Sequence, residues 1–242
     1  MNMMTDGHTV QRYNFEMNHL HGLVLQIGEL VRNQLINAAL SLEKEDLVLA
    51  KTVIEKDAEV NALDIQASDE IVNLIAKRQP VARDLREVLT VGSIVTDLER
   101  VGDEARKIAK LTLHFYSDKQ KAPNVQIVHD LMKMVDVVDD MLKKSIQAFD
   151  GPDLGLAVEV IKTDLELEDD FKAALRNLST FIMEDSRSVG HAVETVLGLR
   201  AMERMGGHAK NIAGYVVFLV KGVDVRHEDL TTVAEEVLPE AG

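Results

Sequence analysis

The side chains best placed to do chemistry are concentrated in Thr96-Asp97-Leu98-Glu99-Arg100-Val101-Gly102-Asp103-Glu104-Ala105-Arg106-Lys107-Ile108-Ala109. Glu99 and Asp103 stand four residues apart. On a helix that spacing stacks two carboxylates on one face, their Cβ atoms about 6 Å apart. Like charges so stacked repel, and an acidic pair beside an apolar seam asks for a counter-cation. Two chemistries satisfy it. Arg100 and Arg106 can act as salt partners on a solvated face, contributing about 0–1 kcal/mol. Alternatively, the carboxylates can be the first ligands of a hard cation that prefers oxygen. A metal would need further oxygens from a neighbouring helix, with Asp57, Asp64 and Glu29 as candidates.

The stretch returns, altered, as Arg200-Ala201-Met202-Glu203-Arg204-Met205-Gly206-Gly207-His208-Ala209-Lys210-Asn211-Ile212-Ala213. Glu203 and Arg204 stand where Glu99 and Arg100 stand, but Gly207 takes the place of Asp103. The second copy has lost one carboxylate, so metal bound through this motif would favour the first copy. His208 offers a nitrogen, one position off the stacked site. Asp57 and Asp164 interrupt apolar stripes at equivalent positions. The expected reading is a buried clamp in which Arg100 and Arg204 meet these carboxylates bidentately, set against direct metal ligation. Glu16 and His19 form a Glu-x-x-His, the half-motif of di-iron bundles, but it has no second copy. No glycine-rich phosphate loop, catalytic triad or zinc-protease motif occurs, so a non-enzymatic role is expected. Basic residues are dispersed, and no clustered Lys/Arg pocket for phosphate is visible.

The elements that must position these residues are long helices. Leu20, Leu23, Val24, Ile27, Val31, Leu35, Ala38 and Leu42 recur at helical spacing from a start near Asn14, leaving residues 1–11 as a disordered lead. A second pattern runs from Leu47 to Lys77 and ends before Pro80. A third runs from Ala82 to Phe115, its seam of Val88, Val91, Val95, Leu98, Gly102, Ala105 and Ala109 alternating threes and fours. Small residues at the middle of that seam invite close approach by a neighbour. Residues 117–124 form the main linker, after which the cycle restarts over Val125–Phe149, Leu154–Met183 and Gly190 to about Val223. Asp164 lies 107 positions after Asp57, and Glu203 lies 104 after Glu99, so the halves are an internal repeat. The expected fold is all-α: two tandem antiparallel three-helix bundles, residues 14–117 and 124–227.

Composition agrees with this reading. The chain has 242 residues, is 46% apolar and only 4% aromatic, and has no Trp, so its core must be aliphatic. With 27 basic and 41 acidic residues the net charge is −14, which disfavours nucleic acid as a partner. The absence of Cys removes disulfides and thiolate metal sites and favours a cytoplasmic location. The longest apolar run, Ile212 to Val220, is too short to span a bilayer.

Duplicated three-helix halves, each with a Glu-Arg-apolar-Gly motif in the third helix, resemble the PhoU family of phosphate-transport regulators. Arg78-Gln79-Pro80, Asp84-Leu85-Arg86, the stretch 96–105, Ala209-Lys210-Asn211-Ile212-Ala213 and residues 220–227 carry the resemblance, which covers about residues 14–227. It implies a cytoplasmic helper of the phosphate ABC transporter. Such a protein would link the transporter ATPase subunit to the sensor histidine kinase PhoR, keep the phosphate-starvation response off and restrain phosphate uptake. It further implies a homodimer, and iron, zinc, manganese or magnesium held through Glu99 and Asp103, with Glu203 doubtful as their counterpart. The alternatives are a metal-dependent helical-bundle enzyme or metal-binding protein, and a helical adaptor unconnected with phosphate.

Overall fold

The computed structural model describes residues 4–117, 125–184, 189–226 and 228. They form α1 (Met4–Glu43), α2 (Leu47–Arg78), α3 (Ala82–Ser117), α4 (Val125–Asp150), α5 (Leu154–Glu184) and α6 (Val189–Lys221). No strand occurs among the described residues. The first helix begins at Met4, not near Asn14 as the apolar stripe suggested. A helix extends beyond its buried stripe where no proline stops it, because each added residue brings its own hydrogen bond. Of the linker expected over 117–124, Ser117 still belongs to α3 and residues 118–124 lie outside the described residues, as do 185–188, 227 and those beyond 228.

Helix ends follow local chemistry. Asp46 caps α2, its carboxylate accepting from the amides of Val48 and Leu49, both at 2.9 Å. Asp153 caps α5 in the same way, accepting from Gly155 at 2.8 Å and Leu156 at 3.0 Å. These two caps occupy equivalent positions in the two halves. Helix α2 ends on Gln79 in the left-handed conformation (φ 49°), directly before Pro80.

Helices α1, α2 and α3 pack on one another, as do α4, α5 and α6. Two further seams, α1 against α4 and α3 against α6, join the triplets. The buried apolar side chains therefore form one continuous core through both halves, with a small satellite of Ile127, Leu178 and Ala192. At the α1/α4 seam, Arg32 forks onto Asp139 with bonds of 2.8 and 2.9 Å. The two residues are 107 apart, the repeat offset itself, so the pair marks a pseudo-twofold axis. At the α3/α6 seam, Gly198 sits where a Cβ would lie 2.9 Å from Leu111 Cδ2, so the helices approach closely there.

Candidate functional site

Helix α3 presents Glu99, Asp103 and Arg106 toward α2 at i, i+4 and i+7, where Asp57 and Asp64 face them. Arg106 Nη2 donates to Asp103 Oδ1 at 2.6 Å, and its Nη1 lies 3.1 Å from Asp57 Oδ2. The counter-cation of the acidic face is thus Arg106. Asp57 is buried, as expected for a clamp, but its partner is Arg106 and not Arg100, which is exposed. The reason is helical phase: Arg100 follows Glu99 by one residue and so points about a third of a turn away. The second half repeats the correction. Asp164 Oδ2 accepts from Lys210 Nζ at 2.8 Å, while Arg204 lies across the α3/α6 seam, 3.4 Å from Glu104 Oε1. Lys210 occupies the place in the second copy that Arg106 holds in the first.

The electrostatics of this face are those of crowded acids. Burial raises the Glu99 carboxyl above its ordinary range, and Asp103, Asp64 and Asp57 raise it further. Burial also raises Asp57, with Arg106 opposing and Asp103 adding to the shift, and burial alone raises Asp64. The 3.1 Å Asp57–Arg106 contact lacks hydrogen-bond alignment. Among the described residues, Asp57 Oδ2, Arg106 Nε and both amide atoms of buried Gln34 remain without hydrogen-bond partners. Gly102 lies among them: a Cβ there would meet Gln34 Oε1 at 3.0 Å and Asp57 Oδ1 at 3.5 Å. The small residue at mid-seam brings α3 onto α1 and α2, as its place in the pattern predicts. Among the described residues no three His, Asp or Glu side chains are grouped to hold a metal ion. As arranged, the face suits a guanidinium that bridges two carboxylates.

A second polar centre escaped the sequence reading. Asp97, buried on α3, accepts from His208 at 2.6 Å and more weakly from Asn211 at 3.5 Å. The carboxylate accepts only, so His208 carries its proton on Nδ1. Burial and Asp97 together raise the Tyr215 phenol. His208 is therefore engaged across the seam by Asp97. The available signal was Asp97 itself, an acid set among Ile94, Val95 and Leu98 just as Asp57 interrupts its own apolar stripe. Beyond α6 the chain folds back. Arg226 Nη1 donates to Tyr215 Oη at 3.2 Å, and the Arg226 side chain lies over Gly214. The Glu16-His19 half-motif is split: Glu16 pairs with Arg78 at 2.8 Å and His19 with Glu70 at 3.2 Å.

Comparison with known proteins follows this architecture. The family model of the PhoU domain matches residues 24–112 and again 131–216, one match in each half. The phosphate-specific transport system accessory protein PhoU homolog of Pseudomonas putida is 36% identical over 231 residues, spanning 95% of this chain and 89% of that protein. The accessory protein PhoU of Escherichia coli K12 is 32% identical over 224 residues, spanning 91% and 90%. Among solved structures, PhoU from Pseudomonas aeruginosa superposes with a TM-score of 0.83 at 34% identity, over 87% of this chain and 100% of that one. The phosphate transport system regulatory protein PhoU of Streptococcus pneumoniae gives 0.79 at 26% identity, over 88% and 99%.

Proposed function

The chain belongs to the PhoU family, and from that premise we propose that it is a non-enzymatic accessory protein of phosphate-specific transport. It holds the phosphate-starvation response off and restrains uptake by coupling the state of the phosphate ABC transporter to the sensor kinase PhoR. The observation that carries this reading is likeness over nearly the whole chain, in both repeats, to proteins named as accessory proteins of phosphate-specific transport. The protein acts from the cytoplasmic side as a homodimer, docking on the transporter ATPase subunit and on the kinase. A binder shifts its partner's equilibrium only through unequal affinity for the partner's states, so it must prefer one state of each. A net charge of −14 suits basic faces on those partners. No helix among the described residues is long and apolar enough to cross a membrane. Metal ligation by Glu99 and Asp103 would require Arg106 to leave Asp103, and the regulatory reading does not depend on it.

The test is genetic and biochemical. Deleting the gene should switch on a phosphate-starvation reporter in phosphate-rich medium, and the purified chain should capture the ATPase subunit and PhoR. A reporter that stays low after deletion would overturn the reading.

A further inference from the structure

The dispersed basic residues of the sequence do form a cluster in three dimensions. A cleft of about 460 Å³ opens along the α3/α6 seam, a volume within the usual range for small-molecule sites. Lys107, Lys110 and His114 line it from α3, and Arg200 and Arg204 from α6. Against these four permanent cations and one histidine stand two carboxylates, Glu104 and Glu194. Glu104 is buried and already engaged: Lys107 Nζ donates to it at 2.7 Å and Arg204 Nη1 at 3.4 Å. It therefore fixes two cations at the wall and is itself neutralised. Arg200 stacks over the Phe171 ring, 5.3 Å from the centroid, and its Nη1 lies 3.4 Å from Glu203 Oε2. Lys110, exposed, makes no hydrogen bond or ion pair among the described residues. Leu111 and Leu197 give the cleft an apolar surface beside this charge. In a chain of net charge −14 such a cleft is a local reversal of sign.

The repeat makes the contrast sharper. The pseudo-twofold carries Glu104, Lys107 and Leu111 onto His208, Asn211 and Tyr215. That side of the seam is closed by the chain itself, with Asp97 bonded to His208 and Asn211 and Arg226 lying against Tyr215. One copy of the groove is filled by internal partners. The other is open and lined with cations.

We propose that the open cleft binds a small organic anion with a phosphate-type head and a flat or apolar body, the class of the nucleoside phosphates. The head would sit among Lys107, Lys110, Arg200 and Arg204, and the body would lie against Leu111 and Leu197. This rests on the cleft alone and is independent of the regulatory role.

The experiment is calorimetric titration of the full chain with ADP at low ionic strength, alongside adenosine and inorganic pyrophosphate. ADP should bind one site per chain more tightly than about 1 mM. Adenosine and pyrophosphate should each bind at least about tenfold more weakly, since each lacks one half of the recognition. Lys110→Gln and Arg200→Gln change exposed side chains and should each weaken ADP by about tenfold, the scale of one charge-assisted hydrogen bond. Lys143→Gln, an exposed lysine on α4, should leave ADP affinity unchanged. Absence of ADP binding, pyrophosphate binding equal to ADP, or ADP affinity unmoved by Lys110→Gln and Arg200→Gln would each overturn the proposal.

Discussion

Arg106 decides the character of the acidic face. Its fork sits between Asp103 and buried Asp57, so the charge that two stacked carboxylates require is supplied by the chain itself. Burial still holds Glu99, Asp57 and Asp64 above their ordinary range, and neighbouring acids add to the shift at Glu99 and Asp57. A carboxyl raised in the folded state binds its proton more readily folded than unfolded. Its contribution to stability is fully present below its ordinary value and is lost as pH climbs through the raised one. At neutral pH, charged Glu99 therefore costs stability, and Glu99→Gln should raise the melting temperature at pH 7. That advantage should shrink as pH falls toward 4.5, the ordinary value for Glu99, where the acid is protonated in the fold as well. Thermal melts of the two proteins across that range check it. A glutamine variant no more stable than the parent at pH 7 would contradict the crowding of charges on this face.

Two adjacent glycines on α6 show how an element's partners set the meaning of a residue. A Cβ on Gly206 would lie 2.1 Å from Leu167 Cδ2, and Leu167 is itself buried on α5. On Gly207 a Cβ would meet nothing within 4 Å. Alanine gains about 1 kcal/mol of helix propensity over glycine at an interior position, whereas overpacking a filled core costs about 1–3 kcal/mol. Gly207→Ala should therefore stabilise the chain by up to about 1 kcal/mol. Gly206→Ala should destabilise it by up to about 2 kcal/mol once the propensity gain is subtracted. Denaturant titration of both variants measures the two signs, and equal signs would refute the packing of α6 on α5. Gly207, the residue that departs from the acid in the first repeat, thus stands in open space on its helix.

The whole molecule is more tightly joined than a pair of bundles. Its apolar core continues through both triplets, and polar ties span each seam: Arg32 with Asp139 between α1 and α4, and Asp97 with His208 between α3 and α6. A half separated from the other would expose both seams and strand buried charges, which is costly when one partner is removed. The chain should therefore unfold in one calorimetric transition, with agreement between calorimetric and van't Hoff enthalpies. Two resolved transitions would show that the seams contribute little. The Arg32–Asp139 pair bears on the same point. It is bidentate and half-buried, so a double-mutant cycle should give a coupling of about 1–2 kcal/mol, more than a surface pair provides.

The six helices, their order, the duplication and the small residues at mid-seam were all legible in the sequence. Apolar spacing is a local property, set by each segment wherever the chain goes. The acidic face was legible too, as were Asp57 and Asp164 as polar breaks in apolar stripes. Their partners were not, since Arg100 and Arg106 are equally near Asp103 in sequence and only the helix's phase against α2 selects Arg106. Nothing local could reveal the α3/α6 seam, because residues about a hundred positions apart meet there: Asp97 with His208, Glu104 with Arg204. Periodicity tells which face of a helix is buried. Which distant face covers it, and which scattered cations thereby become neighbours, depends on how the two repeats pack, and that was fixed only in the tertiary structure.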